Sequence, residues 1–181
     1  MELLMAWVVV IAMAAGAPPH RNAERTTDVE KPSSTVRLNL EISSCDLLAT
    51  AMAETREEVR AVVYKFDDSE LLPDLMEALE RGLTLQVLCD AKEAGKTDSR
   101  IPELAAAGAQ VRTWPRQRGK LHAKFVVFDY DRVLTGSWNW TRSARQGNLE
   151  LIMDIGDPTT VARFRKLFAQ LWETAQPLAS N

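Results

Sequence analysis

Between residues 36 and 174, short apolar runs of two-residue period alternate with segments of helical period, and this alternation limits the fold more than any other feature. Residues 36–42 (VRLNLEI) alternate, 47–60 have helical composition, and 61–66 (AVVYKF) read as a strand. Asp67, Asp68 and Ser69 are N-cap candidates for a helix over 70–81, which Gly82 ends. A compact apolar strand at 83–89, a short helix at 101–107 closed by Gly108, and a strand at 109–113 follow. Strands at 121–128 and 132–135 are joined by Asp129-Tyr130-Asp131, and another strand runs over 149–155. The last helix, 158–174, places Val161, Phe164, Leu167, Phe168 and Leu171 at core-facing spacing. Strands interleaved with helices require a mixed α/β sandwich.

Composition narrows the class. With 181 residues, 46% hydrophobic, 26% charged and a net charge of −3, the chain is too apolar and too weakly charged to be disordered. It can also bury a core without disulfide staples. Two cysteines, Cys45 and Cys89, exclude a cysteine-rich scaffold and a CxxC-type zinc site. Cys89 ends an apolar strand and reads as a buried thiol, with a Cys45–Cys89 disulfide open if the protein is exported. Only His20 and His122 are present, which excludes a histidine-rich metal centre.

The apolar run at 3–15 would rise about 20 Å as a helix, short of the roughly 30 Å hydrocarbon core. It suits the apolar region of a secretory signal, and Ala12-Met13-Ala14 and Ala15-Gly16-Ala17 offer small-residue cleavage patterns. Glu2 and Pro18 count against that reading. A retained short anchor flanked by Arg21 and Arg25 is the rival, and a buried helix the third choice. The expected organisation is therefore a signal peptide or short membrane anchor at 1–19, a polar linker at 20–34, one domain at 35–176 and a tail at 177–181. Such a chain is expected to be exported, periplasmic or secreted, or held at a membrane through residues 3–17, rather than cytoplasmic.

Chemistry concentrates in residues 121–150, LHAKFVVFDYDRVLTGSWNWTRSARQGNLE. In an extended strand His122 and Lys124 share a face, and Asp129 falls on the opposite one if the strand runs that far. Gly136 lets backbone approach a ligand closely. Thr135, Ser137 and Asn139 share a direction if the extended conformation continues, and Asn148 and Glu150 again lie two apart. Brought together, an imidazole, an ammonium, a hydroxyl, an amide and a carboxylate suit a phosphodiester anion. Between Leu104 and Leu149 the basic residues are Arg112, Arg116, Arg118, Lys120, Lys124, Arg132, Arg142 and Arg145, against only Asp129 and Asp131. In an acidic chain that segment favours steering of a polyanion over a merely solvated face. Trp138 and Trp140 read as packing residues, with the substrate groove the alternative for one of them and lipid contact for Trp138. Trp114 is balanced between packing and base stacking, beside a candidate groove of Arg116, Arg118 and Lys120. Whether Tyr64 and Lys65, at the end of a strand, border the site is not decided by residue type.

The spaced set His122-x-Lys124, Asp129, Gly136-Ser137-x-Asn139, within LTGSWNWT and followed by Asn148-x-Glu150, resembles the HKD motif of the phospholipase D superfamily. It is most similar to the small single-motif members, among them bacterial endonucleases and mitochondrial cardiolipin hydrolases. The resemblance extends over residues 35–172. It implies a phospholipase D-like α/β fold, a mixed sheet flanked by helices on both faces, with one motif per chain. It also implies a metal-independent phosphodiesterase, without cofactor, acting through a phosphohistidine. His122 would be the nucleophile, Lys124 and Asn139 would hold the non-bridging oxygens, Ser137 would add a hydrogen bond, and Glu150 would orient His122. Asp129 and Gly136 would be structural. Because the mechanism uses two histidines, one motif per chain implies a homodimer with both His122 side chains at a shared two-fold site. The implied substrate is nucleic acid, cleaved with little sequence preference. Cardiolipin or another phospholipid is the alternative, and a non-catalytic nucleic-acid or membrane binding protein the least favoured. The chain lacks the cysteine-rich insertion of the mitochondrial members, which draws it toward the bacterial type.

Overall fold

Among the residues described by the computed structural model, 34–38 and 42–179, the alternation resolves into one eight-stranded sheet with six helices. The apolar run at 3–15, its cleavage patterns, His20 and the linker up to residue 33 lie outside the described residues. In chain order the elements are β1 (Ser34–Leu38), α1 (Ser44–Glu54), β2 (Glu58–Val63), α2 (Leu72–Glu80), β3 (Thr84–Asp90), α3 (Ala91–Ala94), α4 (Ile101–Ala106) and β4 (Gln110–Trp114). A 3₁₀ turn (Arg116–Arg118) leads to β5 (Phe125–Phe128), β6 (Arg132–Gly136), α5 (Arg142–Gln146), β7 (Leu151–Ile155), α6 (Pro158–Thr174) and β8 (Gln176–Pro177).

The strand order is β1-β7-β6-β5-β2-β3-β4-β8. Strands β2, β3 and β4 are parallel, and the other pairings are antiparallel. Alternation along the strands divides the core between the two faces. Val59, Ala61 and Val63 of β2, with Val126 and Phe128 of β5, join the cluster under α1, α2 and α4. Val62, Phe125 and Val127 face the opposite way, onto Val161 and Phe168 of α6. Full burial of a side chain such as Phe168 contributes about 1.5–3 kcal/mol. Helices thus cover both faces, as expected.

Several local boundaries differ from the sequence pattern for physical reasons. Ser43 caps α1 by accepting the Asp46 amide, and the helix stops at Glu54 rather than continuing to residue 60. Immediately beyond, the Asp129 carboxylate accepts the amides of Arg56, Glu57 and Glu58 at 3.1, 2.9 and 3.0 Å. That long-range clamp starts β2 three residues before the expected position. The 67–69 cluster does not cap α2, whose N-cap is Leu71 without a side-chain bond. Asp68 is instead buried, with its carboxylate on the Glu70 amide (3.0 Å) and on Arg145 Nε (2.7 Å). Cys45 and Cys89 are both buried free thiols, so the disulfide left open by the sequence is not formed. Burial is the main reason that each thiol's pKa is pushed up to about 12. Elements α3, α5, β8 and the 3₁₀ turn have too few residues to show a period.

Candidate active site

The residues singled out at 121–150 gather where β5 begins and β6 ends, beside the carboxyl ends of β2 and β3. The β5 ladder begins at Phe125, not at residue 121, so His122 and Lys124 precede the regular strand. Side chains hold this segment instead. Asp90 Oδ2 accepts the Leu121 amide at 3.1 Å, and Thr135 Oγ1 donates to the Lys124 carbonyl at 2.8 Å. The expected pairing nevertheless occurs: Lys124 Nζ donates to the His122 carbonyl at 2.7 Å and lies 3.2 Å from His122 Nδ1. His122 is exposed, whereas Lys124 is only 7% exposed. Burial lowers the Lys124 pKa below its ordinary value, and the negative charge of Glu150 opposes that shift.

Ser137 and Glu150 meet across the β6–β7 pair. Ser137 Oγ donates to Glu150 Oε2 in a short hydrogen bond, and Asn148 Nδ2 donates to Oε1 at 2.9 Å. The Leu151 amide donates to Ser137 Oγ at 3.1 Å, and the Ser137 amide to the Leu151 carbonyl at 3.2 Å. Glu150 is buried, so its carboxylate is held by donors rather than by bulk water. Gly136 makes this approach possible. A Cβ there would lie 2.0 Å from the Leu151 carbonyl oxygen, so the close contact served by this glycine is with its own neighbouring strand, not with a ligand. Beyond Gly136 the chain leaves the ladder, and Thr135, Ser137 and Asn139 do not remain one extended row. Asn139 Oδ1 is buried without a hydrogen-bond partner among the described residues.

Asp129 is not part of this group. It sits at the other end of β5, at φ 46°, bonded to the three amides that open β2. Trp138 and Trp140 are buried in the core, and Phe66 meets Trp140 edge-on at 5.3 Å. Trp114 is half-buried against the α6 cluster. Tyr64, undecided in the sequence, borders the site: its ring lies 5.0 Å from the His122 ring and 5.5 Å from Lys124 Nζ. Lys65 turns away into ion pairs with Asp67 and Asp98.

The basic segment separates into two populations. Arg112 covers Trp172 and donates to its carbonyl, Arg132 pairs with Asp154 and Glu54, and Arg145 pairs with Asp68 and Asp46. Arg116, Arg118, Lys120 and Arg142 are exposed and have no ion-pair partner among the described residues. Three of them lie within six residues of His122 along the chain. Among the described residues no group of three or more His, Cys, Asp or Glu side chains could hold a metal ion.

A mixed sheet between two helical layers, with His122, Lys124, Ser137 and Glu150 at one end of it, is the arrangement of a phospholipase D-like domain. The family model described as "Cardiolipin synthase, PLD-like domain" matches residues 48–172, and the chain belongs to this family. Mitochondrial cardiolipin hydrolase of Xenopus laevis is 32% identical over 139 residues, covering 77% of this chain and 66% of that protein. The protein of the same name from Danio rerio is 28% identical over 135 residues, covering 75% and 60%. The chain thus spans under two thirds of the length of these relatives. The structure of Nuc, a phospholipase D family member from Salmonella typhimurium, shares the fold with a TM-score of 0.74 and 24% identity, covering 83% of this chain and all of that one. NucT from Helicobacter pylori superposes with a TM-score of 0.70 at 19% identity, covering 80% and 98%.

Proposed function

We propose that this protein is a phosphodiesterase that needs no metal ion and uses His122 as its nucleophile. The observation that carries this reading is the exposed His122 imidazole in contact with the buried Lys124 ammonium, beside the Ser137–Glu150 pair. A phosphodiester would place its non-bridging oxygens against Lys124 and Asn139, with Ser137 adding a donor if its one hydroxyl proton turns from Glu150 to the phosphate. While Lys124 donates to His122 Nδ1, the imidazole proton resides on Nε2. Phosphate oxygens that draw the ammonium away let Nδ1 carry the proton and Nε2 attack phosphorus. The P–O bond to the leaving group then breaks, and water later cleaves the phosphohistidine. Glu150 stabilises the positive charge that develops on the imidazole. The leaving oxygen needs a proton, and a second His122 across a two-fold axis would supply it, so the active form is a homodimer.

Nucleic acid is the favoured substrate, because Arg116, Arg118 and Lys120 form an exposed cationic run leading into His122. The second reading, a phospholipid such as cardiolipin, is favoured by the names of the relatives and by Leu149 and Leu151, which are 65% and 41% exposed on either side of Glu150. Among the described residues no helix is long and apolar enough to cross a membrane, so membrane attachment would rest on residues 3–17. With that segment as signal or anchor, the site would lie in the periplasm, outside the cell or at a membrane face.

The test incubates the purified chain with a labelled single-stranded oligonucleotide in excess EDTA, beside His122→Ala. Cleavage by the wild type alone is expected. Cleavage by His122→Ala as well would remove His122 as nucleophile. Inactivity of both, with hydrolysis of cardiolipin vesicles by the wild type, would transfer the substrate to lipid.

A further inference from the structure

We propose that Tyr64 is a positioning residue for His122, anchored from behind by the buried carboxylate of Glu93. The proposal rests on the phosphodiesterase reading for its catalytic consequence, but its geometry stands apart from it. His122 belongs to a segment that has left the β5 ladder, so no sheet hydrogen bonds fix its imidazole. The ring of Tyr64, one residue beyond β2, lies 5.0 Å away at 49° and supports the imidazole from the side. The same ring lies 5.5 Å from Lys124 Nζ, so one aromatic surface meets both members of the pair.

The ring is held from the β3–α3 corner. Tyr64 Oη donates to Glu93 Oε1 at 3.1 Å, and Lys96 Nζ occupies the other carboxylate oxygen at 2.7 Å. Glu93 is 5% exposed, although it lies on the one-turn helix α3 at the end of β3. Asp90, at the same corner, caps α3 through Oδ1 and accepts the Leu121 amide through Oδ2. The β3–α3 corner therefore braces the His122 segment twice, once through its backbone and once through the Tyr64 ring. The Tyr64 hydroxyl proton is committed to Glu93, and burial together with Glu93 raises the Tyr64 pKa. The ring face, not the hydroxyl, thus meets the nucleophile, which makes Tyr64 a support rather than a proton donor.

The test compares full-length wild type, Tyr64→Leu, Tyr64→Phe and the distant control Tyr130→Leu. The first readout is the imidazole proton resonances of His122, distinguished from those of His20, the other histidine of the chain, with a His20→Gln variant. The second is kcat and KM on bis(p-nitrophenyl) phosphate, and the third is the thermal midpoint. Tyr64→Leu should shift the His122 resonances by removing the ring current. It should lower kcat by about 10- to 100-fold through misplacement of the nucleophile, with KM within about threefold. Tyr64→Phe should keep the ring-current shift and lose about three- to tenfold in kcat, because the ring remains but its anchor is gone. Tyr130→Leu, which loses only the Arg165 contact with its ring, should match the wild type in the His122 resonances and in kcat. Unmoved His122 resonances in Tyr64→Leu, or wild-type kcat in Tyr64→Phe, would overturn the proposal. If Tyr64→Leu does not fold, the kcat of Tyr64→Phe decides alone. If the wild type does not hydrolyse the diester, the phosphodiesterase reading falls, and the resonances still decide whether Tyr64 supports His122.

Discussion

Replacing Gly136 with alanine should damage stability and catalysis together, and the size of the effect follows from one collision. The added Cβ would stand 2.0 Å from the Leu151 carbonyl oxygen, 3.0 Å from its carbon and 3.2 Å from Trp138 Cδ1. The ordinary closest C···O approach is about 3.3 Å, so β6 and β7 must part locally by about 1.3 Å. Both obstacles are unyielding, since the oxygen is backbone and Trp138 is packed in the core. Parting breaks the Ser137 amide bond to Leu151 and the Leu151 amide bond to Ser137 Oγ, each worth about 1 kcal/mol. Residual backbone strain adds about 1–3 kcal/mol. The sum is about 3–5 kcal/mol, or a fall in thermal midpoint of roughly 10 °C for a chain of this size. The same displacement carries Ser137 away from Glu150, and a shift near 1 Å in a catalytic group costs about 100-fold in rate. Gly82→Ala is the control. It has φ +91° but nothing within 4 Å of the added Cβ, so only the left-handed backbone penalty of about 1–2 kcal/mol applies. Calorimetry and steady-state kinetics on both variants decide the matter. A Gly136→Ala midpoint within about 2 °C of wild type, with unchanged kcat, would refute the argument.

Three further predictions concern charged groups. Lys124 holds its proton less tightly than an ordinary lysine of pKa 10.5, and in the proposed mechanism its ammonium form binds phosphate, so kcat/KM should fall on the alkaline side at a pH below 10.5. Lys124→Arg should remove that limb from the pH profile, whatever rate remains. For stability the sign is opposite: the unfolded chain binds this proton more strongly, so the contribution of Lys124 to folding becomes more favourable as pH rises from its lowered value toward 10.5. Asp129→Ala removes the two carboxylate oxygens that accept three amides at the start of β2 and should cost about 2–3 kcal/mol by denaturant titration. Its folded fraction should keep kcat within about twofold, since a motif residue outside the site acts on the fold alone; a deep loss in kcat at full folding would return Asp129 to the chemistry. Asp68→Ala leaves the Arg145 guanidinium with only its more exposed partners and should cost about 3 kcal/mol, and Asp68→Asn, which restores one acceptor oxygen but no charge, should recover only a minor part of that loss. Wild-type stability in Asp68→Asn would show that the negative charge is not what Asp68 supplies.

Periodicity and spacing in the sequence determined much of this protein. The interleaving of strands and helices and the span of α6 from Pro158 to Thr174 follow from forces that act within a few residues, namely backbone period, turn residues and the sorting of apolar side chains, whereas His122 and Lys124 meet as their spacing suggested but on a segment held by Asp90 and Thr135. Sequence parity put Asp129 on the face opposite His122, whereas the structure separates the two along the strand, with Asp129 just past the far end of β5 at φ 46°. Tertiary structure decided what depends on partners distant in the chain. The end of α1 and the start of β2 are set by Asp129, about seventy residues on, and local propensity carries no trace of that clamp. Asp68 left its expected capping role for Arg145, because a buried carboxylate needs a cation more than a helix end needs a cap. Of the eight basic residues between Leu104 and Leu149, Arg112, Arg132 and Arg145 were absorbed by structural partners, and only packing could distinguish them from those left facing solvent. Tyr64 came to the side of His122 because β2 and β5 pair antiparallel, which joins the end of one strand to the beginning of the other across nearly sixty residues of chain.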